Sequence, residues 1–421
     1  MATPEVDKSS VGTVQEGAPH RPLLNRHSPD FKWAVTGRDS YASVLARLPA
    51  VLAWDEAGET LDSLGELQHS VCWRRLRSAL NFIGSYDHSL ARTMEEALAA
   101  LSSSGLSRFT TAPQTYMCIS RLQMEPAKSI MALSEYLNAE LVRDGVPAHG
   151  ARGYWTASGD FYSRKTSNGT PDAALSVIDK DTFYQAPRIG EIIPVDFFSP
   201  NVACAKQTTS SFPVDYLEFT PADREIVVNR LDESLGRIAD ASEAAARLIK
   251  RFMKVVIPLR VAQGAGSNSK RSFPGRVVMR GVENADSAIV ASGLVHESIH
   301  QFLYVLEFAG RFVLNEPPGG VVSYWTGRKL PLDSFIHACF VWYGLANFWM
   351  RARMRKAFPE DVVNRELTKC LAGFRGGNPL DAVSPYVGML RYDVWKVACT
   401  LQERLASSEK AAECGVSHAI Q

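Results

Sequence analysis

The 421-residue sequence lacks the features that mark several classes of protein. Its formal net charge is only +1, from 46 Lys and Arg against 45 Asp and Glu, and no basic stripe stands out. Nucleic acid and an anionic membrane surface are therefore not expected as main partners. The local basic group Arg74, Arg75 and Arg77 is typical of a solvated helix face. No apolar stretch reaches the roughly 18 to 20 residues that cross a bilayer, so no membrane partner is expected.

The cysteines also exclude two kinds of site. There are seven, scattered, odd in number and never arranged as C-x-x-C. This argues against a disulfide framework and against a cysteine-based zinc site. Residues 1–29 are polar and contain no apolar run, unlike a signal peptide. We therefore expect a soluble, reduced, cytoplasmic protein.

The apolar pattern predicts an α+β protein that is mostly helical. The expected segments are a flexible lead (1–38), a helical N-terminal region (39–147), a strand and loop segment (148–219), a domain that the H-E-x-x-H motif at 296–300 indicates to be metal-binding and catalytic (220–410), and a tail (411–421). Residues 102–111, rich in Ser, Thr and Gly, predict a break in the helical region. The strand and loop segment mixes Gly, Ser, Asp and Pro with aromatics, and its position favours a lid over the active site.

The catalytic domain has helix and strand signals in a definite order. The expected elements are a helix from Thr220-Pro221 to about Lys254, strands at 255–261 and 276–282 separated by a turn at 264–270, a helix between caps at 284–287 and Gly310, and helices at 331–357, 359–374 and 380–405. Strands that lead into a metal-binding helix, followed by more helices, are the arrangement of zincin-like domains.

The most specific motif is H-E-x-x-H, formed by His296, Glu297 and His300 on the helix that ends near Gly310. Histidines four residues apart lie one turn apart on the same helix face, so both imidazoles can bind one divalent metal. Only nine histidines occur in the chain, and a third, His337, follows within the next helix. A surface helix that carries two histidines by chance is the alternative.

A working site needs a third protein ligand. His337 is our prediction, although a lone histidine on an apolar, aromatic helix is often a core residue. Glu316, in an Asn-Glu-Pro-Pro-Gly-Gly loop, is the alternative. Glu307 lies about 10 Å further along the helix axis than His300, at roughly 1.5 Å per residue, which predicts a solvated charge or one just outside the metal ligands. Asp333 is predicted to be a helix N-cap.

Five segments carry a family resemblance: 256–260 (VIPLR), 293–301 (GLVHESIHQ), 324–332 (YWTGRKLPL), 334–342 (SFIHACFVW) and, in the N-terminal half, 111–116 (TAPQTY). They resemble the H-E-x-x-H-type, 2-oxoglutarate-dependent peptide β-hydroxylases that accompany ribosomally made, modified peptides. The chain departs from the family in reading Arg328-Lys329-Leu330-Pro331 where the family has arginine, proline and leucine. It also has Ala338 where a glycine follows the histidine, and residues 148–213 have no counterpart.

The resemblance implies an Fe(II) enzyme that uses 2-oxoglutarate and O2 to hydroxylate a β-carbon in a peptide, which could be a ribosomal precursor peptide. It implies that His296, His300 and His337 hold the iron and that Arg328 binds the far carboxylate of 2-oxoglutarate. Glu297 would hydrogen-bond near the iron or orient the substrate amide.

Two other functions stay open from the residues. In a zinc-dependent metallopeptidase, the same histidines would bind Zn2+ and Glu297 would be the general base. In a non-catalytic peptide-binding protein, a structural metal would have a closed shell of four ligands.

Overall fold

Helices make up most of the chain in the computed structural model, which describes residues 37–55, 58–147, 153–163, 183–209 and 215–413. Small sheets accompany them, which confirms the mostly helical α+β class. Most of the predicted lead and of the predicted tail lie outside the described residues. Among the helices of the described residues, none has the length and apolar character needed to cross a membrane.

Six helices form the N-terminal region: α1 (Gly37–Leu52), α2 (Glu59–Tyr86), α3 (His88–Ala100), α4 (Ser103–Thr111), α5 (Pro113–Arg121) and α6 (Pro126–Arg143). The break predicted at 102–111 is wrong, because this segment forms α4. Ser102 is its N-cap and accepts a hydrogen bond from the backbone N–H of Gly105. The serines that suggested a loop thus begin a helix, the other common role of this residue type.

The segment after α6 contains short strands and one helix: β1 (Tyr154–Trp155), β2 (Phe161–Ser163), β3 (Phe183–Gln185), β4 (Arg188–Ile189), β5 (Ile193–Pro194), α7 (Pro200–Thr209) and β6 (Tyr216–Leu217). The described parts of the segment predicted as strands and loops contain these short strands, whereas α7 was not expected. β1, β2 and β3 form an antiparallel sheet, and β4 pairs with β5. A lid role for this segment stays a prediction.

The remaining elements are α8 (Pro221–Ala241), α9 (Glu243–Phe252), β7 (Val255–Val261), β8 (Gly266–Ser269), β9 (Arg276–Arg280), α10 (Ser287–Ala309), β10 (Val321–Val322), β11 (Lys329–Leu330), α11 (Leu332–Arg355), α12 (Glu360–Arg375) and α13 (Tyr392–Glu413). α11 and α12 match the predicted helices closely. The last helix begins at Tyr392 and not near 380, because two 3-10 turns occupy 379–389.

Two predictions in this part are wrong. The helix expected to run from Thr220 to about Lys254 is two helices. Ser242 has an extended backbone between them, and its side chain caps α9 by accepting from the N–H of Ala245. The turn expected at 264–270 contains strand β8, whose sequence Gly-Ser-Asn-Ser has little intrinsic strand preference. β8 forms because β9 offers it a partner strand.

The main sheet has the strand order β6-β7-β9-β8, with β7 and β9 parallel and both outer pairs antiparallel. Alternate residues of β7 point to opposite faces. Val256 joins the large core, whereas Val255 and Ile257 pack with Ala205 of α7 on the other face. The central strands are therefore covered on both sides, and β8 forms one edge of the sheet.

The large core extends through α1, the first half of α2 and helices α8 to α13. α10 lies within it, and Gln301 attaches this helix to the sheet. The side-chain oxygen of Gln301 accepts from the N–H of Gly275 at 2.6 Å, and its amide donates to the carbonyl of Arg276 at 2.9 Å. Gly275 has a φ of +90°, which favours glycine at this turn. The core and Gln301 together fix the position of the motif helix.

Candidate metal centre

The helix that carries the motif is defined by its own caps. Asp286 accepts from the N–H of Ile289 at 2.8 Å and begins α10, which ends at Gly310, as the sequence predicted. The rings of His296 and His300 lie on the same face of this helix, with centroids 5.0 Å apart. Both side chains are half-buried. The four-residue spacing therefore places the two imidazoles together.

The third predicted histidine lies against this pair. His337 is buried in α11, and its Nδ1 lies 3.4 Å from Nδ1 of His300. Their rings are nearly parallel, with centroids 5.7 Å apart. The structure thus brings His296, His300 and His337 together from two helices that are separate in sequence.

The distance between the two Nδ1 atoms fits two ligands of one metal. At metal–nitrogen bonds of about 2.0 to 2.1 Å, two nitrogens on one ion lie roughly 2.9 to 3.4 Å apart for bond angles of about 90 to 110°. Among the described residues, no group of three or more His, Cys, Asp or Glu side chains is arranged as a complete metal site. The fit therefore rests on His300 and His337, with the ring of His296 beside them.

Glu307 orients His337. Its carboxylate lies 3.0 Å from Nε2 of His337 and also accepts from the backbone N–H of Phe312 at 3.3 Å. An Nε2–H that donates to Glu307 leaves Nδ1, the atom that faces His300, as the ring nitrogen that can bind a metal. A carboxylate that accepts a hydrogen bond from one ring nitrogen of a histidine commonly fixes the tautomer in which the other nitrogen binds a metal.

Arg271 completes this chain of contacts. Its guanidinium contacts the carboxylate of Glu307 and lies 2.7 Å from that of Asp333. Burial opposes ionisation of Glu307, but the hydrogen bond and charge interaction with His337, together with the charge of Arg271, outweigh it and lower the pKa of Glu307. Glu307 is therefore a buried, ionised acceptor beside His337. The sequence predicts how far Glu307 lies from His300 along α10, but it does not predict that α11 packs beside Glu307.

The environment of the motif histidines keeps them neutral. Burial lowers the pKa of His296, against the nearby charge of Glu297. Burial also lowers the pKa of His300 well below its usual value, and the neighbouring His296 and His337 lower it further. A neutral imidazole is the form that binds a metal.

Aromatic side chains enclose the histidines. Tyr304 lies one turn beyond His300, with its ring 5.9 Å from that of His300 and 5.4 Å from that of His337. Trp342 meets the ring of His296 edge to face at 6.0 Å. Burial and then the charge of Glu297 raise the pKa of Tyr304, so its hydroxyl stays protonated. Tyr304 was missed in the sequence, where its i+4 spacing from His300 was the available signal.

Glu316 and Asp333 have structural roles at the start of α11. Both carboxylate oxygens of Glu316 accept from the helix, at 2.8 Å from the N–H of Leu332 and at 3.1 Å from that of Asp333. Glu316 is thus a helix cap and not part of the histidine cluster. The predicted N-cap role of Asp333 is wrong, because Pro331 holds that position and Asp333 lies in the first turn, paired with Arg271.

Arg328 lies outside the histidine cluster. It is exposed on the β10–β11 hairpin, where its backbone N–H contacts the Thr326 hydroxyl at 3.4 Å. Its carbonyl accepts from the N–H of Ser323. The carboxylate-binding role stays a prediction for this residue.

The segment 111–116 contacts the motif helix. It joins the end of α4 to the start of α5, and the ring of Tyr116 stacks on that of Phe308 with centroids 4.9 Å apart. The guanidinium of Arg75 lies over the Tyr116 ring at 4.6 Å. An N-terminal segment is thereby packed onto the helix of His296 and His300.

Comparisons with known proteins place no outside constraint on the site. No protein-family model matches the chain, and no curated protein matches it. The function of this site must therefore be inferred from the geometry of α10 and α11 and from the sequence motifs.

Proposed function

We propose that the chain is an Fe(II)- and 2-oxoglutarate-dependent oxygenase that hydroxylates a β-carbon of a peptide, on a zincin-like arrangement of sheet and motif helix. The observation that carries the metal part is the 3.4 Å approach of Nδ1 of His300 to Nδ1 of His337, beside His296 of the same motif. The choice of iron and 2-oxoglutarate rests on the resemblance of the sequence segments.

Three histidines would hold the metal in this proposal. His296 and His300 come from α10 and His337 from α11, with Glu307 fixing the His337 tautomer. Bound iron would supply the redox chemistry by which the peptide, 2-oxoglutarate and O2 become hydroxylated peptide, succinate and CO2. Trp342 and Tyr304 pack against the rings of His296 and His300.

The edge of the sheet supports a peptide as substrate. Within the described residues, β8 pairs with β9 on one side only, and it packs against α10. An edge strand offers unpaired backbone groups to an extended peptide, which can add to the sheet as a further strand. The described part of β8 is half-buried rather than covered. A bound peptide would therefore run beside the helix that carries His296.

The zinc metallopeptidase is the second candidate because Glu297 is buried beside His296, where its charge affects the pKa of that histidine. Glu297 would then accept a proton from the attacking water. A non-catalytic peptide-binding protein with a structural metal is the third possibility. All three share the histidine ligands, so metal binding alone does not separate them.

Anaerobic reconstitution separates the three functions. We expect one Fe(II) per chain and a weak visible charge-transfer band when 2-oxoglutarate is added, both absent in His300→Ala. One Zn2+ per chain with no band and with peptide cleavage would identify the peptidase. Metal that resists exchange, with neither band nor cleavage, would identify the binding protein. A wild-type chain that binds no metal would refute all three.

A further inference from the structure

A cavity of about 260 Å³ opens beside His296. It is bounded by β8, the end of β9 and helices α10 to α12, and its lining includes Ser267, Arg280, His296, Trp342, Glu366 and Lys369. Small-molecule sites usually measure about 300 to 1,000 Å³, so this cavity lies just below that range and suits only a small ligand.

Arg280 is the notable cation of this cavity. It is half-buried at the last position of β9, and it forms no ion pair or side-chain hydrogen bond within the described part of the chain. Its Nη2 lies over Gly266 of β8, where a Cβ would come within 3.1 Å of it. Glycine at this position therefore leaves room for the guanidinium between the strand and the cavity.

The other charges of the cavity are already paired. Glu366 is buried and lies 3.8 Å from Lys369, 3.5 Å from Arg365 and 3.5 Å from the hydroxyl of Ser292. Glu366 and Lys369 thus offset each other. Arg280 is left as a cation without a compensating carboxylate among the described residues.

The half-buried guanidinium of Arg280, which has no acidic partner among the described residues, can bind an anion of matching shape. Arginine presents a planar fork of N–H donors that binds a carboxylate through two parallel hydrogen bonds. The hydroxyl of Ser267 lines the same cavity and can add a donor. The cavity's own carboxylate, Glu366, is already paired with Lys369 and Arg365, so a carboxylate for Arg280 would have to come from a ligand.

We propose that this cavity binds the carboxylate of a small organic acid and that Arg280 is the residue that holds it. The proposal rests on the proposed function for its ligand: there, the acid is 2-oxoglutarate and Arg280 takes its far carboxylate. The C-terminal carboxylate of a peptide has the same chemistry and is the other possible source.

The test measures binding to the purified protein by calorimetry under anaerobic conditions, with Fe(II) loading measured on the same samples. The probes are 2-oxoglutarate, 2-oxobutyrate, which lacks the far carboxylate, and one short peptide with a free or an amidated C-terminus. Arg280→Ala is expected to weaken 2-oxoglutarate binding by about 30-fold or more, as loss of one partner of a desolvated charge pair does. Arg280→Ala should leave 2-oxobutyrate binding unchanged, because 2-oxobutyrate lacks the far carboxylate that Arg280 would bind.

Three variants accompany Arg280→Ala. Arg280→Lys keeps the charge but not the two-pronged geometry, so we expect an intermediate loss, and it replaces Arg280→Ala if that variant fails to fold. Arg353→Ala removes an exposed arginine elsewhere on α11 and is the matched control, with no change expected. Arg328→Ala tests the arginine indicated by the sequence; a loss there with none at Arg280 would overturn the proposal.

The remaining outcomes separate this proposal from the proposed function. Unchanged 2-oxoglutarate affinity in both Arg280 variants, or no binding of any probe by the wild type, overturns the Arg280 proposal whatever the metal content. Arg280-dependent binding without any iron site supports the Arg280 proposal and refutes the oxygenase. Arg280-dependent binding of the free peptide alone supports a carboxylate site and favours the peptidase.

Discussion

The two flanks of the H-E-x-x-H turn differ in how completely their polar groups are paired. On the His300 flank (His300, His337, Glu307 and Arg271), the side chains form a continuous chain of contacts that ends at Asp333, and only the buried Nε of Arg271 has no partner among the described residues. The His296 flank is the cavity that contains Arg280, whose guanidinium has no acidic partner in the described residues.

This difference assigns separate tasks to the two flanks. Paired polar groups inside a protein resist rearrangement, because breaking a buried contact leaves a desolvated group without a partner. The His300 flank is therefore suited to hold a metal ligand in a fixed orientation. Under the Arg280 proposal, the unpaired guanidinium of the His296 flank binds a molecule that enters from outside. Variants on each flank test this division, and the largest effect is expected at the motif histidines.

Replacing a motif histidine should abolish metal binding. His300→Ala removes the nitrogen that faces Nδ1 of His337, and the loss of metal affinity should exceed the roughly 10- to 100-fold that removal of an outer partner causes. The half-buried ring of His300 contributes little to the hydrophobic core, so the circular dichroism spectrum of His300→Ala should match that of the wild type. Metal content after chelation and refilling is the measurement.

His88→Ala is the matched control for this change, because His88 is exposed at the start of α3. Its metal content should equal that of the wild type. If His300→Ala also refills to one metal per chain, the His300 flank is not a metal site.

Loss of Glu307 should weaken the metal site without removing it. Glu307→Ala leaves Nε2 of His337 and the N–H of Phe312 without their acceptor, while Arg271 keeps Asp333. We expect metal affinity to fall by about 10- to 100-fold. Glu307→Gln retains an acceptor oxygen and should lose less. A competition titration with a chelator measures both.

An exposed glutamate provides the comparison for this titration. Glu403→Ala on α13 should bind metal like the wild type. Equal affinities in Glu307→Ala and Glu403→Ala would show that the His300 flank does not depend on its carboxylate, and the proposed division between the flanks would fail.

Gln301 should matter for stability more than for metal affinity. Gln301→Leu leaves the buried N–H of Gly275 and the carbonyl of Arg276 without their side-chain partner. Each such group costs about 1 to 3 kcal/mol, so we expect the free energy of unfolding to fall by roughly 2 to 4 kcal/mol. Chemical denaturation measures this loss. A change below about 0.5 kcal/mol would mean that Gln301 does not anchor α10 to the sheet.

The elements that the sequence predicted well are those specified by local signals. β7 has its predicted bounds, and α10 begins beside Asp286 and ends at Gly310 because these residues are cap signals. β8 was not predictable, since Gly-Ser-Asn-Ser becomes a strand only through pairing with β9. Two serines were misinterpreted. Ser102 begins a helix where a loop was expected, and Ser242 begins a new helix where one continuous helix was expected.

In the candidate site, too, local signals predict positions within one helix but not contacts between helices. His296 and His300 were predictable because a helix fixes the relation between residues four apart. The contact of Glu307 with His337 depends on the packing of α11 against α10, which no local pattern encodes. Glu316 was a reasonable ligand by residue type, but its carboxylate is used by the first N–H groups of α11. Arg280 was visible only as a strand residue.

Two glycines compare the packing of the His296 flank with that of the core. A Cβ at Gly293, on the His296 flank, would lie 3.1 Å from the flexible end of Met279 and 3.4 Å from the Ser267 hydroxyl. A Cβ at Gly344, in the packed core, would lie 2.7 Å from Cδ1 of Ile299. Alanine within a helix gains about 0.5 to 1 kcal/mol over glycine, whereas overpacking a core costs about 1 to 3 kcal/mol. We therefore expect Gly293→Ala to change the free energy of unfolding by less than about 1 kcal/mol and Gly344→Ala to lower it by about 1 to 2 kcal/mol. Thermal and denaturant unfolding measure both, and the reverse order would show that the His296 flank is more tightly packed than the core around Gly344.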